Sequence, residues 1–478
     1  MSAARGMQAR RIMFVLGLLL PFNLSAGERA SGIPTATPES FKAMLAQKPA
    51  TLLLDDGRYA CGDTIDFPID LIAQSPGKVL FDCDGVGSGL IIAASDITLD
   101  GIHFHGVGGS LLSLDAAVKL TPGAHRVTLA NLNIEAAGYG VHAEDADFLE
   151  VQHSHIRGDA SLHLLDRGDG IHLKGGRAAR IAHNRIETVR DGIYLESTQG
   201  SEVIANRMNS LQYGVHTMYS QGELIALNQA ENVLGGYALM SSQGLRLEEN
   251  IALQASDFGV LLNVTEDTRL SGNLVKASKA QAKAGTGASL DIFSVGKGLF
   301  IYDAKSNLIE NNHFIDGDVG VAIAMGAEAN RFHGNVIAGN GEELRYTGTV
   351  AMDWSGGGRG NFWGGHSGLD INGDGIGDGP YRPNDRFDRL FLIYPEARTL
   401  MQSPLVMLLK SLSDALALER GEGVTDPYPL MQAPSSAVHL PEIDSSVSAT
   451  LVSTKLVSAT LVSASLVPAT NATGGLSW

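Results

Sequence analysis

The chain has 478 residues, 35 Lys and Arg against 52 Asp and Glu, a formal net charge of −17, and two cysteines, Cys61 and Cys83. Such acidity argues against a phosphate-backbone partner, because displacing counterions from nucleic acid takes concentrated Lys and Arg. Cys-x-x-Cys zinc spacing is also absent, which removes the common thiolate metal sites.

At the start of the chain, Arg5, Arg10 and Arg11 precede an apolar run over 12–20, and Ser25, Ala26 and Gly27 follow. A basic, apolar and small-residue order predicts an export signal over 1–26, using the general rather than the twin-arginine route. The run is shorter than the roughly 20 apolar residues that span a bilayer. The mature chain is therefore expected in an extracytoplasmic, periplasm-like space, with a lead-in or helical cap over 27–50. Cys61 and Cys83 lie 22 positions apart; on adjacent turns of a repeat they come within reach of a disulfide, the alternative being two independent thiols.

Self-similarity dominates the middle of the chain. "DGIHLKGGRAARIAHNRIETVR" from Asp169 runs into "DGIYLESTQGSEVIANRMNSLQ" from Asp191 and "YGVHTMYSQGELIALNQAENVL" from Tyr213. A 22-residue period with short alternating strands predicts an all-β chain, a parallel β-helix over 51–355; a leucine-rich repeat lacks its consensus here, and helical repeats are longer. The column glycines, Gly170, Gly192, Gly214 and Gly236 among them, are expected at bends where backbones approach closely. Asn184, Asn206, Asn228, Asn250, Asn273, Asn312 and Asn335 are expected to form a structural ladder at a turn. Insertions at 158–167 and around 276–296 belong on the surface.

Counting from each glycine, the next residue faces the core, and the second and fourth face outward. The second positions include His142, His172, Tyr194 and His216; the fourth include Glu144, Lys174, Glu196, Met218 and Met240. Imidazole beside thioether suits a soft cuprous ion, so His172, His216, Met218 and Met240 are the candidate copper ligands. An exposed apolar stripe with ordinary surface histidines is the structural alternative. Sugar chemistry, the usual work of a secreted β-helix, needs paired carboxylates or a carboxylate with a base on one face. Asp145, Asp147, Asp166, Glu144 and Glu196 are at hand, yet no column is expected to stack two or three carboxylates on neighbouring coils. A non-enzyme is expected, with a carbohydrate-active enzyme or polysaccharide-binding module as the alternative.

After the coils, 356–434 reads as a cap. Asp370, Asn372, Asp374 and Asp378, with Gly375 at the turn, match the opening of a calcium loop, but Tyr381 stands where a bidentate carboxylate belongs. Calcium and an Asp/Gly-rich turn cap both fit. Pro404 after Ser403 starts an amphipathic helix with Leu405, Leu408, Leu409, Leu412 and Leu416 on one face, expected to pack on the coil, the alternative being a dock for a partner such as a transporter's membrane subunit. The tail over 435–478 repeats "LVSTK", "LVSAT", "LVSAS" and "LVPAT", a flexible extension by composition.

Taken in order, the export signal, the Asp-Gly-Ile and Asn repeats, "NFWGG", "DINGDGIGDGPY", "RFDRLFLIYP" and "SPLVMLLK" resemble the NosD family of periplasmic nitrous oxide reductase maturation proteins, over roughly 30–434. The resemblance implies a right-handed β-helix that binds copper transiently and is not a catalyst. Its implied partners are an ABC transporter permease and ATPase, which dock it at the membrane, apo nitrous oxide reductase and a copper chaperone lipoprotein. It does not fix copper ligands, which rest on the spacing alone.

Overall fold

From Tyr213–Met218 the chain runs through Leu224–Ala226 and Gln229–Glu231 and returns at Gly235–Met240 beside the strand it left, with Met218 against Met240. Repeating that circuit gives three sheets of 13, 12 and 13 strands, each strand paired with its counterparts in the preceding and following coils. The pairings are parallel because each coil returns to its start in the same direction, the crossover being the coil's other two strands. The computed structural model, an all-β parallel β-helix, describes residues 32–277, 295–346, 348, 352–384, 403–406, 408 and 424–434. The expected export signal and the 435–478 tail lie outside the described residues, as does most of the 276–296 insertion.

Inside, the residues after the column glycines form one row: Val141, Ile171, Ile193, Val215, Tyr237, Val260, Leu299 and Val321, all buried. Tyr237 fits there because its hydroxyl donates to the carbonyl oxygens of Asn228 (2.8 Å) and Ile251 (3.0 Å). The glycines are demanded by the stacking. A Cβ at Gly170, Gly192 or Gly214 would stand 2.5–2.6 Å from the carbonyl oxygen of the next column glycine, closer than real side chains come.

The asparagine column is buried and continuous. Asn228 Oδ1 accepts from Asn206 N (2.9 Å) and Asn206 Nδ2 (3.0 Å), while Asn228 Nδ2 donates to Val203 O (2.8 Å) and Asn250 Oδ1 (3.0 Å). The same pattern repeats at Asn184, Asn206, Asn250, Asn273, Asn312 and Asn335, so every rung satisfies the one below it. With their amides engaged in this way, they are structural rather than ligand groups.

A shorter Thr198, Ser220 and Ser242 ladder lies at another corner, and there Glu223 is fully buried, accepting from Thr198 Oγ1 (2.9 Å) and Ser201 N. Burial outweighs those bonds and pushes its carboxyl from 4.5 up to about 7. A raised folded-state value means the native state holds the extra proton between pH 4.5 and 7, so stability falls as pH rises through that window and levels off above it. At 1.36 kcal/mol per unit the full effect is about 3 kcal/mol. Glu223→Gln is expected to flatten this slope in urea unfolding series from pH 5 to 8; an unchanged slope would assign it to other groups.

Both ends of the core are closed by aromatic residues. The short helix Phe41–Leu45 sets Phe41 edge-on to Tyr59 and Phe81, whose rings stack on one another at 5.2 Å. At the far end Trp354 stacks on Phe332 at 4.1 Å, and the buried Asp426 carboxylate accepts from Asn361 N (2.7 Å) and Trp363 Nε1 (2.9 Å), ending the ladder. Coil pairing extends past the expected 51–355 at both ends, because Thr35–Ala36 pairs with Leu53 and Leu54, and Phe362–Trp363 with Val336 and Ile337. Cys61 and Cys83 are joined in a disulfide between adjacent coils, with Cα atoms 5.0 Å apart. The 158–167 insertion carries a 3-10 turn, Leu164–Asp166, pinned by Arg167 donating to Leu162 O and Thr188 O.

Candidate functional site

All four candidate copper ligands lie on the outer face of the 12-stranded sheet. Register places His142 against His172, His172 against Tyr194, Tyr194 against His216, and Met218 against both Glu196 and Met240. These histidines face outward from the core as expected but are not ordinary surface residues: His142 is 2% exposed and His172 and His216 are each 8% exposed. The reason lies at the column glycine. Around that glycine the strand departs from simple alternation, and the side chains one before and two after it meet outside the core, as Tyr139 does His142 and Tyr213 does His216.

That departure brings in residues the forward count passed over. Asp169 Oδ2 lies 2.9 Å from His172 Nδ1, and Asp191 Oδ2 lies 3.0 Å from His216 Nδ1. Asp169 is fully buried and also takes Arg190 Nε (3.0 Å), Arg190 Nη2 (2.9 Å) and Asp191 N (3.2 Å). Burial pushes the Asp191 carboxyl up, against the lowering effect of the His216 bond. The expectation that no column stacks carboxylates therefore fails: Asp169 and Asp191 occupy one column on neighbouring coils. The signal was present in the repeated "DGI", which begins one residue before the glycine used as origin.

An imidazole whose Nδ1 is held by a carboxylate presents Nε2 as its free lone pair, the arrangement that orients metal-ligating histidines. His172 Nε2 and His216 Nε2 are buried and without hydrogen-bond partners. His142 Nδ1 is in the same condition, and burial, with help from the nearby His172 and Lys119, pushes its ring down to about 4, keeping it neutral at pH 7. Tyr194 lies between the two oriented imidazoles, its ring centroid 4.6 Å from that of His172 and 4.3 Å from that of His216. The row thus gathers His216, Met218 and Met240 at one end and sets His172 apart with His142. Tyr194 also approaches Met218, hydroxyl to Sδ, at 3.6 Å. Beyond Met240 the face becomes apolar, with Ala238, Phe258 and Leu261 buried against Tyr213, Met240 and Phe300. The thioethers sit at that seam, half-buried.

The C-terminal loop is a tight turn closed by side-chain to backbone hydrogen bonds. Asp370 accepts from the backbone N–H groups of Gly373, Asp374 and Gly375, Asp374 from that of Ile376, and Asp378 from that of Ile371, while Asn372 Nδ2 donates to Asp374. Among the described residues no group of three or more His, Cys, Asp and Glu side chains is placed to hold a metal ion, so calcium finds no support at Asp370, Asn372, Asp374 and Asp378. Tyr381, in place of the twelfth ligand, donates instead to Glu343 (2.8 Å). In the segment after Ser403, Leu405 and Leu408 are exposed, so the expected packing on the coil fails for these two leucines; Leu409, Leu412 and Leu416 lie outside the described residues.

The model of the family described as "Periplasmic copper-binding protein (NosD)" matches residues 151–368, the stretch that carries the site. A protein of Stutzerimonas stutzeri, "Probable ABC transporter binding protein NosD", is 42% identical over 407 residues, 85% of this chain and 92% of that protein. The chain belongs to the NosD family. A second NosD of the same description, from Pseudomonas aeruginosa, is 40% identical over 435 residues, 91% of this chain and 98% of its own. Among solved structures, PfbA, a surface adhesin of Streptococcus pneumoniae, is similar at 10% identity and TM-score 0.49, over 66% of this NosD chain and 88% of the adhesin; at that level the likeness carries no argument about function. No helix among the described residues is long and apolar enough to cross a membrane.

Proposed function

We propose that this NosD-family chain is a periplasmic accessory protein, not an enzyme, that binds cuprous copper as cargo and delivers it, together with an ABC transporter, in the maturation of nitrous oxide reductase. One observation carries the reading: His216, held at Nδ1 by Asp191, keeps a buried, unpartnered Nε2 on the face where Met218 and Met240 stand in register. Imidazole and thioether hold a soft cuprous ion without the grip of thiolates, which suits cargo that must leave. The transporter's permease and ATPase, a copper chaperone lipoprotein as donor and apo nitrous oxide reductase as acceptor are the partners proposed. The exposed leucines after Ser403 are available to such a partner.

A second reading draws on Asp169 and Asp191. Two buried carboxylates on neighbouring coils, beside imidazoles and Tyr194, form the kind of acid and base group that glycoside chemistry uses. Against it, both carboxylates are already engaged by His172, His216 and Arg190. Anaerobic titration with cuprous ion and assays on acidic and neutral polysaccharides separate the two. Copper binding without turnover, together with loss of nitrous oxide reduction on gene deletion, is expected; turnover on a polysaccharide would overturn the non-enzyme reading.

A further inference from the structure

The geometry points to a second cuprous position, held by His142 and His172, at the end of the row away from the methionines. It rests on the copper reading above and adds His142 as a ligand. The His142 ring lies with its centroid 5.1 Å from that of His172 and 5.1 Å from that of Tyr139. Its Nδ1 is buried without a partner, and a buried polar atom left unsatisfied forfeits about 1–3 kcal/mol. His172 Nε2 is in the same state. Its nearest carboxylate, Glu196 Oε2, stands at 3.7 Å, beyond hydrogen-bond range, while Asp169 fixes the Nδ1 side.

Adjacent strands lie about 4.8 Å apart, and two metal–imidazole bonds of about 2 Å each span roughly 4 Å. Imidazoles in register on neighbouring coils, their centroids 5.1 Å apart and their planes tilted by 51°, are spaced to share a bent, two-coordinate cuprous ion. The row ends there, because Lys119, in register with His142 on the preceding coil, turns its ammonium to Ser113 O at 2.9 Å. Tyr194 separates this pair from His216, Met218 and Met240. The NosD chain thus offers two ligand sets of different hardness in line, nitrogen only at one end and nitrogen with sulfur at the other. A two-coordinate ion keeps its flanks open to a ligand from a donor protein. An ion entering at the imidazole pair moves toward the softer thioethers.

The test is a count of cuprous ions per full-length chain, titrated anaerobically from a competing chromophoric chelator. Two ions are expected for the wild type, and one each for His142→Ala with His172→Ala and for Met218→Ala with Met240→Ala. A wild type that binds one ion, lost with the methionines, overturns the second position and leaves the copper reading standing. No ion in the wild type overturns the copper reading itself. Two ions retained by the histidine variant would show that His142 and His172 are not the ligands. Circular dichroism of each copper-free variant checks the fold; should the double histidine variant unfold, His142→Gln replaces it, and the wild-type count decides on its own.

Discussion

Asn228→Ala is expected to lower the unfolding free energy by about 4 kcal/mol, as is the loss of any other interior rung of the ladder. The change removes four hydrogen bonds; Asn206 N and Val203 O lose these partners, while Asn206 Nδ2 keeps Ile181 O and Asn250 Oδ1 keeps the Asn228 N–H. Each buried group left unsatisfied costs about 1–3 kcal/mol, and the sealed corner gives water no easy path. Gln229→Ala, one residue further on and facing away from the core, should stay within about 0.5 kcal/mol of the wild type. Urea unfolding of both variants measures the contrast. A loss under about 1 kcal/mol at Asn228 would mean that the stacked strands hold without the ladder.

For function, Met218→Ala combined with Met240→Ala is expected to weaken cuprous binding at the His216 end by at least about 100-fold, since removing even a group that only orients a metal ligand typically costs about 10–100-fold. Asp191→Asn should fall within that about 10–100-fold range, because the carboxylate orients His216 and is not itself a proposed ligand. The apo fold should survive the methionine change, as both side chains are half-buried on the outer face and contribute nothing to the inner row. Competition against a chromophoric cuprous chelator measures each affinity. Equal values for the methionine variant and the wild type would remove the thioethers from the site.

The architecture was legible because its causes repeat. Gly170, Gly192 and Gly214 recur where the next coil's carbonyl leaves no room for a Cβ, and Asn184 through Asn335 recur where a buried turn needs an amide. Both columns show at a glance because the same constraint acts on every coil. Site chemistry was legible only in part. His216, Met218 and Met240 fall on one face by simple alternation, but alternation assumes a straight strand. Around the column glycines the preceding residue meets the second following one, on the same coil for Asp169 and His172 and on the next coil for Asp191 and His216, and simple alternation does not bring these groups together. Tyr194 divides His172 from His216 for a related reason: stacking order depends on which coil carries which residue, and the ring between them is as large as theirs. The loop at Asp370 was legible only as a turn: calcium loops and turn caps both place Asp and Asn at alternate positions beside glycine, and both aim the turn's N–H groups at the first Asp, as those of Gly373, Asp374 and Gly375 are aimed here.

X-ray absorption at the copper edge of the wild-type protein, fully loaded with cuprous ion under anaerobic conditions, tests the central claim most directly. Sulfur scatterers from Met218 and Met240 alongside imidazole nitrogen are predicted in the first coordination shell; a shell of nitrogen and oxygen alone would contradict the account.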